Sequence, residues 1–95
     1  MQIEFLSAEA EIDPDNDNVD VAVHLDDGRT YIFLVATPNN IYWCMDNERV
    51  DYFFGTPPLF LRKLTRDNVE RAIGALLNEP RFLEAYGALQ SSDGP

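Results

Sequence analysis

The stretch from Val19 to Ala36 reads VDVAVHLDDGRTYIFLVA, two apolar runs joined by Asp26-Asp27-Gly28-Arg29. In the first run Val19, Val21, Val23 and Leu25 alternate with Asp20, Ala22 and His24. That two-residue period is the mark of a strand with one buried face. Asp-Gly supplies the positive φ angles that a tight hairpin turn demands. The return run, Thr30 to Ala36, is apolar on both faces, which places it in the interior of a sheet. A hairpin with a doubly apolar second strand needs further strands beside it and helices over it.

The flanking sequence provides both. Upstream, Gln2–Ala8 reads as another strand, with alternation running on toward Ile12 before Pro14 and the surrounding Asp and Asn residues break it. Downstream, Thr37 and Pro38 have the chemistry of an N-cap and first helical position. A helix over 38–47 would gather Ile41, Cys44 and Met45, while a strand through 41–45 is the competing reading. Residues 50–54 and 59–64 read as two strands, separated by Gly55-Thr56-Pro57-Pro58, which neither element tolerates internally. Thr65 then caps a helix whose Val69, Ala72, Ile73, Leu76 and Leu77 recur every 3.6 residues. Pro80 can open a last short helix carrying Phe82, Leu83, Tyr86 and Leu89 on one face. These elements make one α+β domain over residues 1–90, with a frayed tail at 91–95. The expected architecture is a largely antiparallel sheet of about five strands with two or three helices packed on one face.

At 95 residues the chain has room for one core, and with 45% hydrophobic residues it can fill one. The single cysteine, Cys44, leaves no internal disulfide and no multi-cysteine metal site. The N-terminus lacks a basic region followed by an apolar run, and no apolar stretch approaches the roughly 18 residues of a membrane helix. The simplest expectation is a soluble cytoplasmic protein.

Charge is the strongest compositional signal. The net charge is −10, and residues 1–28 hold nine acids with no Lys or Arg, whereas residues 29–95 hold eight acids against seven bases. Such a surface repels nucleic acid and anionic membranes and steers basic partners. Glu11, Asp13, Asp15 and Asp17 fall at alternate positions, as carboxylates do in a calcium loop. From Asp13, however, the twelfth position is His24 where a bidentate Glu is needed, and strands flank the loop where helices should. An exposed turn is the better reading, and no metal or cofactor is expected.

His24 is the only histidine and shares a strand face with Asp20 and Ala22. A lone histidine on an acidic strand is expected to be a surface residue. No base lies near Cys44 to lower its pKa, so it reads as a buried structural thiol. Phosphate loops, GxSxG and HExxH are all missing, so no enzyme is expected. The aromatic groups Tyr42-Trp43 and Tyr52-Phe53-Phe54 admit two readings. The preferred one has helices covering them in the core. The other leaves some exposed as binding anchors, because strand alternation cannot bury three successive rings.

LDDGRTYIFLVATPNNIYWCM and LFLRKLTRDNVERAIGALL set out a strand, a Asp-Gly turn, a second strand, TPxNI, a further apolar strand, Leu-Thr and an amphipathic helix. Over about residues 19–80 this order resembles small bacterial immunity proteins of toxin–immunity systems, including the contact-dependent inhibition type. The resemblance implies a binding role and no catalytic residues. Taken with the charge, it makes an acidic protein-binding domain the expectation, one that neutralises a toxin by occluding a basic active site. The expected contacts are Glu9, Glu11, Asp13, Asp15, Asp17, Asp20, Asp26 and Asp27, with Tyr42, Trp43 and Tyr52. A self-associating structural module, forming a homodimer, is the alternative.

Overall fold

The computed structural model describes residues 1–55 and 57–90, the side chain of Phe82 apart. The expected tail at 91–95 and the role of the Phe82 ring therefore lie outside the described residues. Five strands are seen: β1 (Gln2–Phe5), β2 (Asn18–His24), β3 (Thr30–Ala36), β4 (Leu59–Phe60) and β5 (Gly87–Leu89). Three helices join them: α1 (Pro38–Glu48), α2 (Arg66–Leu77) and α3 (Pro80–Tyr86), with a 3-10 turn at Glu9–Glu11.

The hairpin is the centre of the sheet, as its two-sided apolar second strand required. β2 pairs antiparallel with β3 over its full length, and β1 adds antiparallel to the far side of β2. The remaining edge of β3 is shared. β5 pairs antiparallel with residues 31–33, and β4 pairs parallel with residues 35–36. The fold is α+β, with three of its four strand pairings antiparallel.

Cross-strand neighbours explain which face is buried. Val19, Val21 and Val23 stand opposite Val35, Phe33 and Tyr31, and Ile3 and Phe5 extend the row onto β1. Val69, Ile73 and Leu76 of α2, together with Leu83 of α3, close over that row. The Thr65 hydroxyl starts α2 by accepting from the Asn68 backbone N–H at 3.2 Å. The Tyr31 hydroxyl escapes isolation by donating to Glu84 of α3 at 3.0 Å and accepting from Arg29 at 3.2 Å. Burial and then the Glu84 carboxylate push this phenol up from its ordinary pKa.

Arg66 finishes the outer edge of the sheet. Its guanidinium donates to the Ile3 carbonyl at 3.1 Å and to Glu9 at 2.8 Å, and lies over the Phe5 ring. One side chain thus occupies an otherwise unpaired β1 carbonyl, a form of edge protection.

Four elements depart from the sequence expectation. Residues 50–54 form no strand: β2 takes one edge of the central strand β3, and β4 and β5 share the other. The expected 59–64 strand shrinks to two residues; after Leu61 donates to the Ala36 carbonyl, the chain turns away and Leu64 donates to Pro14. The missing fifth strand comes instead from residues 87–89, where a helical face had been expected to reach Leu89. Gly87 permits this: a Cβ there would lie 2.7 Å from the Phe33 Cζ, so only glycine lets the chain close on the sheet. Alternation likewise stops at Phe5, and the 3-10 turn replaces it before Ile12.

Candidate functional site: the aromatic arm

α1 is held at its base and little elsewhere. Thr37 is fully buried, and its hydroxyl accepts from the backbone N–H groups of Asn40 and Asp17, each at 3.3 Å. Asn40 is the one buried residue of the helix. Its amide donates to Asn16 Oδ1 at 3.0 Å and accepts from Asn18 Nδ2 at 2.7 Å. Asn39 adds a bond to the Asp15 carbonyl. The broken stretch between β1 and β2 thus forms the socket into which the first turn of α1 is set.

Beyond that turn no residue of the helix is buried, and Ile41, Cys44 and Met45 are only half-buried. Arg49 ends it in the left-handed conformation (φ 60°), and Val50 donates back to the Met45 carbonyl. The expected helix is present, but the rings it carries are not covered. Tyr42 is 67% exposed, Trp43 53%, Tyr52 60% and Phe54 84%. Phe53 and Phe60 are exposed as well. The expectation of an aromatic core is corrected here: α2 and α3 cover the Val21–Phe33 face, and no third layer reaches the arm. The same cause corrects Cys44, which is half-buried rather than enclosed, its thiol donating to Asn40 Oδ1 at 3.8 Å.

Two concavities are cut into this surface. Pro38, Ile41, Tyr42 and Met45 make a helical stripe facing Phe60 across a hollow of about 260 Å³. Glu48, Val50, Tyr52, Phe53 and Phe54 line a second of about 270 Å³, in which the Tyr52 and Phe54 rings stack at 5.6 Å, tilted by only 3°. Asp46, Glu48 and Asp51 border the arm, and among the described residues their side chains form no hydrogen bond or ion pair.

The acids expected to act as one surface are distributed differently. Asp13, Asp15 and Asp17 cluster at the base of α1. Asp13 accepts from the Asp15 N–H, Asp17 accepts from the Asp13 and Asn18 N–H groups, and Asp15 pairs with Lys63 at 3.4 Å. Asp26 and Asp27 lie at the hairpin tip, about 20 Å away along β2 at the rise of a strand. There Asp26 pairs with the N-terminus, and Arg29, first through its backbone N–H, holds Asp27 below the usual carboxylate pKa. Glu9 is taken by Arg66. Glu11 and Asp20 are exposed, with no side-chain bond among the described residues. His24 meets Glu4 Oε1 at 3.2 Å and Thr30 Oγ1 at 3.0 Å on the uncovered sheet face, and no group of three metal-ligating side chains converges among the described residues.

Phe53, Phe54, Phe60, Asp46, Glu48 and Asp51 belong to the candidate site although sequence reading did not select them. The signal was present in the density of rings and acids between 42 and 54, masked by a near-balanced charge over the rest of the chain.

The socket makes a prediction. Asn40→Ala removes the side-chain bonds to Asn16 and Asn18 and the weaker one from Cys44, and should cost about 1–3 kcal/mol. Hydrogen exchange should quicken across 41–48 far more than across β2 and β3. Uniform quickening of both regions would show that α1 is not separately anchored.

No family model matches this chain, and no curated protein or solved structure matches it.

Proposed function

We propose that this protein is an acidic protein-binding domain that docks a basic partner on the α1 arm and the 50–54 loop. The carrying observation is the joint exposure of Tyr42, Trp43, Tyr52, Phe53 and Phe54 beside three carboxylates that have no ion pair among the described residues. Rings left in water gain nothing for the fold, whereas burying each against a partner contributes about 1.5–3 kcal/mol. Exposed apolar groups gathered in one place and rimmed by charge mark interaction surfaces. The partner most in keeping with the resemblance to immunity proteins is a toxin domain whose basic active site this surface occludes.

A photocrosslinking residue at position 42 or 54, with one at exposed Arg71 as control, tests the proposal in the native cell. A basic protein joined from 42 and 54 but not from 71 is the expected result. Equal capture from all three positions would remove the arm from the function.

Association with that partner should slow as salt is raised, since steering fades over a Debye length of about 8–10 Å. Asp46→Asn, Glu48→Gln and Asp51→Asn together should reduce the slope of rate against ionic strength. An unchanged slope would assign steering to the acids of residues 9–27 instead.

Self-association through the same rings is the second reading, supported by the exposed apolar surface alone. A symmetric dimer would double a charge of −10 and bring like carboxylates together. Sedimentation at low micromolar concentration separates the two, a persistent dimer favouring this reading.

A further inference from the structure

The hollow at the end of the arm has the chemistry of a cation site, and we infer that it receives an arginine side chain of the partner. This rests on the binding role proposed above and names what that surface recognises. The Tyr52 and Phe54 rings are stacked in parallel, each keeping one π face turned away from the other, and Glu48 lines the same hollow. A guanidinium stacks on aromatic faces and also forks onto a carboxylate, so rings and acid satisfy one group together. Val50 and Phe53 supply the apolar wall for its methylene stem.

Among the described residues, Arg29, Arg49 and Arg66 leave this site open. The cation–π contacts among the described residues are Arg29 over Tyr31 and Arg66 over Phe5, neither of them on a ring of the arm. Arg29 and Arg66 are also tied to Asp27 and Glu9. Nearby Arg49 lies over neither ring of the stacked pair. Lysine fits less well, because a compact, strongly hydrated ammonium cannot stack on the rings and fork onto Glu48 at once. Charge complementarity therefore selects a basic segment of another protein over a second copy of this acidic chain.

The test uses short peptides identical except for one central residue: arginine, lysine, trimethyl-lysine or citrulline. Binding to the intact protein is followed by calorimetry and by the ring proton signals of Tyr52 and Phe54. Citrulline keeps the shape of arginine without its charge and should bind about five- to tenfold more weakly. Lysine should bind about two- to threefold more weakly than arginine, and Glu48→Gln should shrink the arginine–citrulline gap about threefold. Both Glu48 and Phe54 are exposed, so Glu48→Gln and Phe54→Ala should fold normally, which circular dichroism checks. Equal binding of arginine and citrulline peptides, or tighter binding of trimethyl-lysine than of arginine, overturns the assignment. If either occurs while crosslinking from position 42 still captures a basic protein, the arginine site fails and the binding role stands. If crosslinking fails as well, both fall.

Discussion

Replacing Trp43 and Phe54 together with alanine is expected to weaken partner binding by about 100-fold or more while leaving the thermal midpoint within about 2 °C of the parent. The binding loss follows from ring chemistry, since a buried aromatic anchor at an interface centre contributes about 2 kcal/mol or more. Two such anchors, not fully additive, account for about 3 kcal/mol, which is two decades in Kd. The unchanged midpoint follows from exposure: Phe54 is 84% exposed and Trp43 more than half, so the fold loses little buried area with them. Titration calorimetry beside a thermal melt measures both. A drop of 10 °C would mean that the rings pack in solution, and the arm would then be core rather than contact surface.

The opposite result is expected at Phe33. Its ring is fully buried at the centre of β3, opposite Val21 and beneath the close approach of Gly87. Phe33→Ala should cost about 3–5 kcal/mol, through lost transfer energy and the cavity left behind. A domain of this length has about 5–15 kcal/mol in all, so the midpoint should fall by about 15–30 °C. Gly87→Ala should destabilise for the converse reason, its methyl meeting the Phe33 ring at 2.7 and 2.8 Å. In a Phe33→Leu background that clash is relieved, so the two changes should be coupled by about 1–2 kcal/mol. Additive costs, measured by urea unfolding, would show that β5 does not close on Phe33 as described.

These two residues also show what could be read along the chain. Phe33 was legible as core, because apolar residues on both faces of 30–36 have no place except inside a sheet. Thr37, Pro38 and Thr65 were legible as helix starts, because capping is local chemistry and needs no distant partner. The role of Gly87 was not legible, since it depends on a ring that lies 54 residues earlier and meets it only in the folded chain. Residues 50–54 failed as a strand for a related reason. Alternation and ring content make a segment able to pair, but the edge of β3 that it could have joined is held by β4 and β5.

The candidate site was half visible. Acidity and aromatic density were plain in the composition, and Tyr42, Trp43 and Tyr52 were singled out from it. Which acids accompany the rings depended on the fold. Glu9, Asp15, Asp26 and Asp27 are paired with Arg66, Lys63, the N-terminus and Arg29, whereas Asp46, Glu48 and Asp51 have no ion pair among the described residues and stand beside exposed rings.

By itself the sequence determined the hairpin, the capped helices, the α+β class and the excess of negative charge, since each arises from neighbours or from composition. Tertiary structure alone decided that β5 rather than 50–54 completes the sheet, and that the rings of α1 face water. Both outcomes turn on competition for a limited resource. β3 has only two edges and the sheet only one face under α2 and α3, and local sequence does not record which segment takes them.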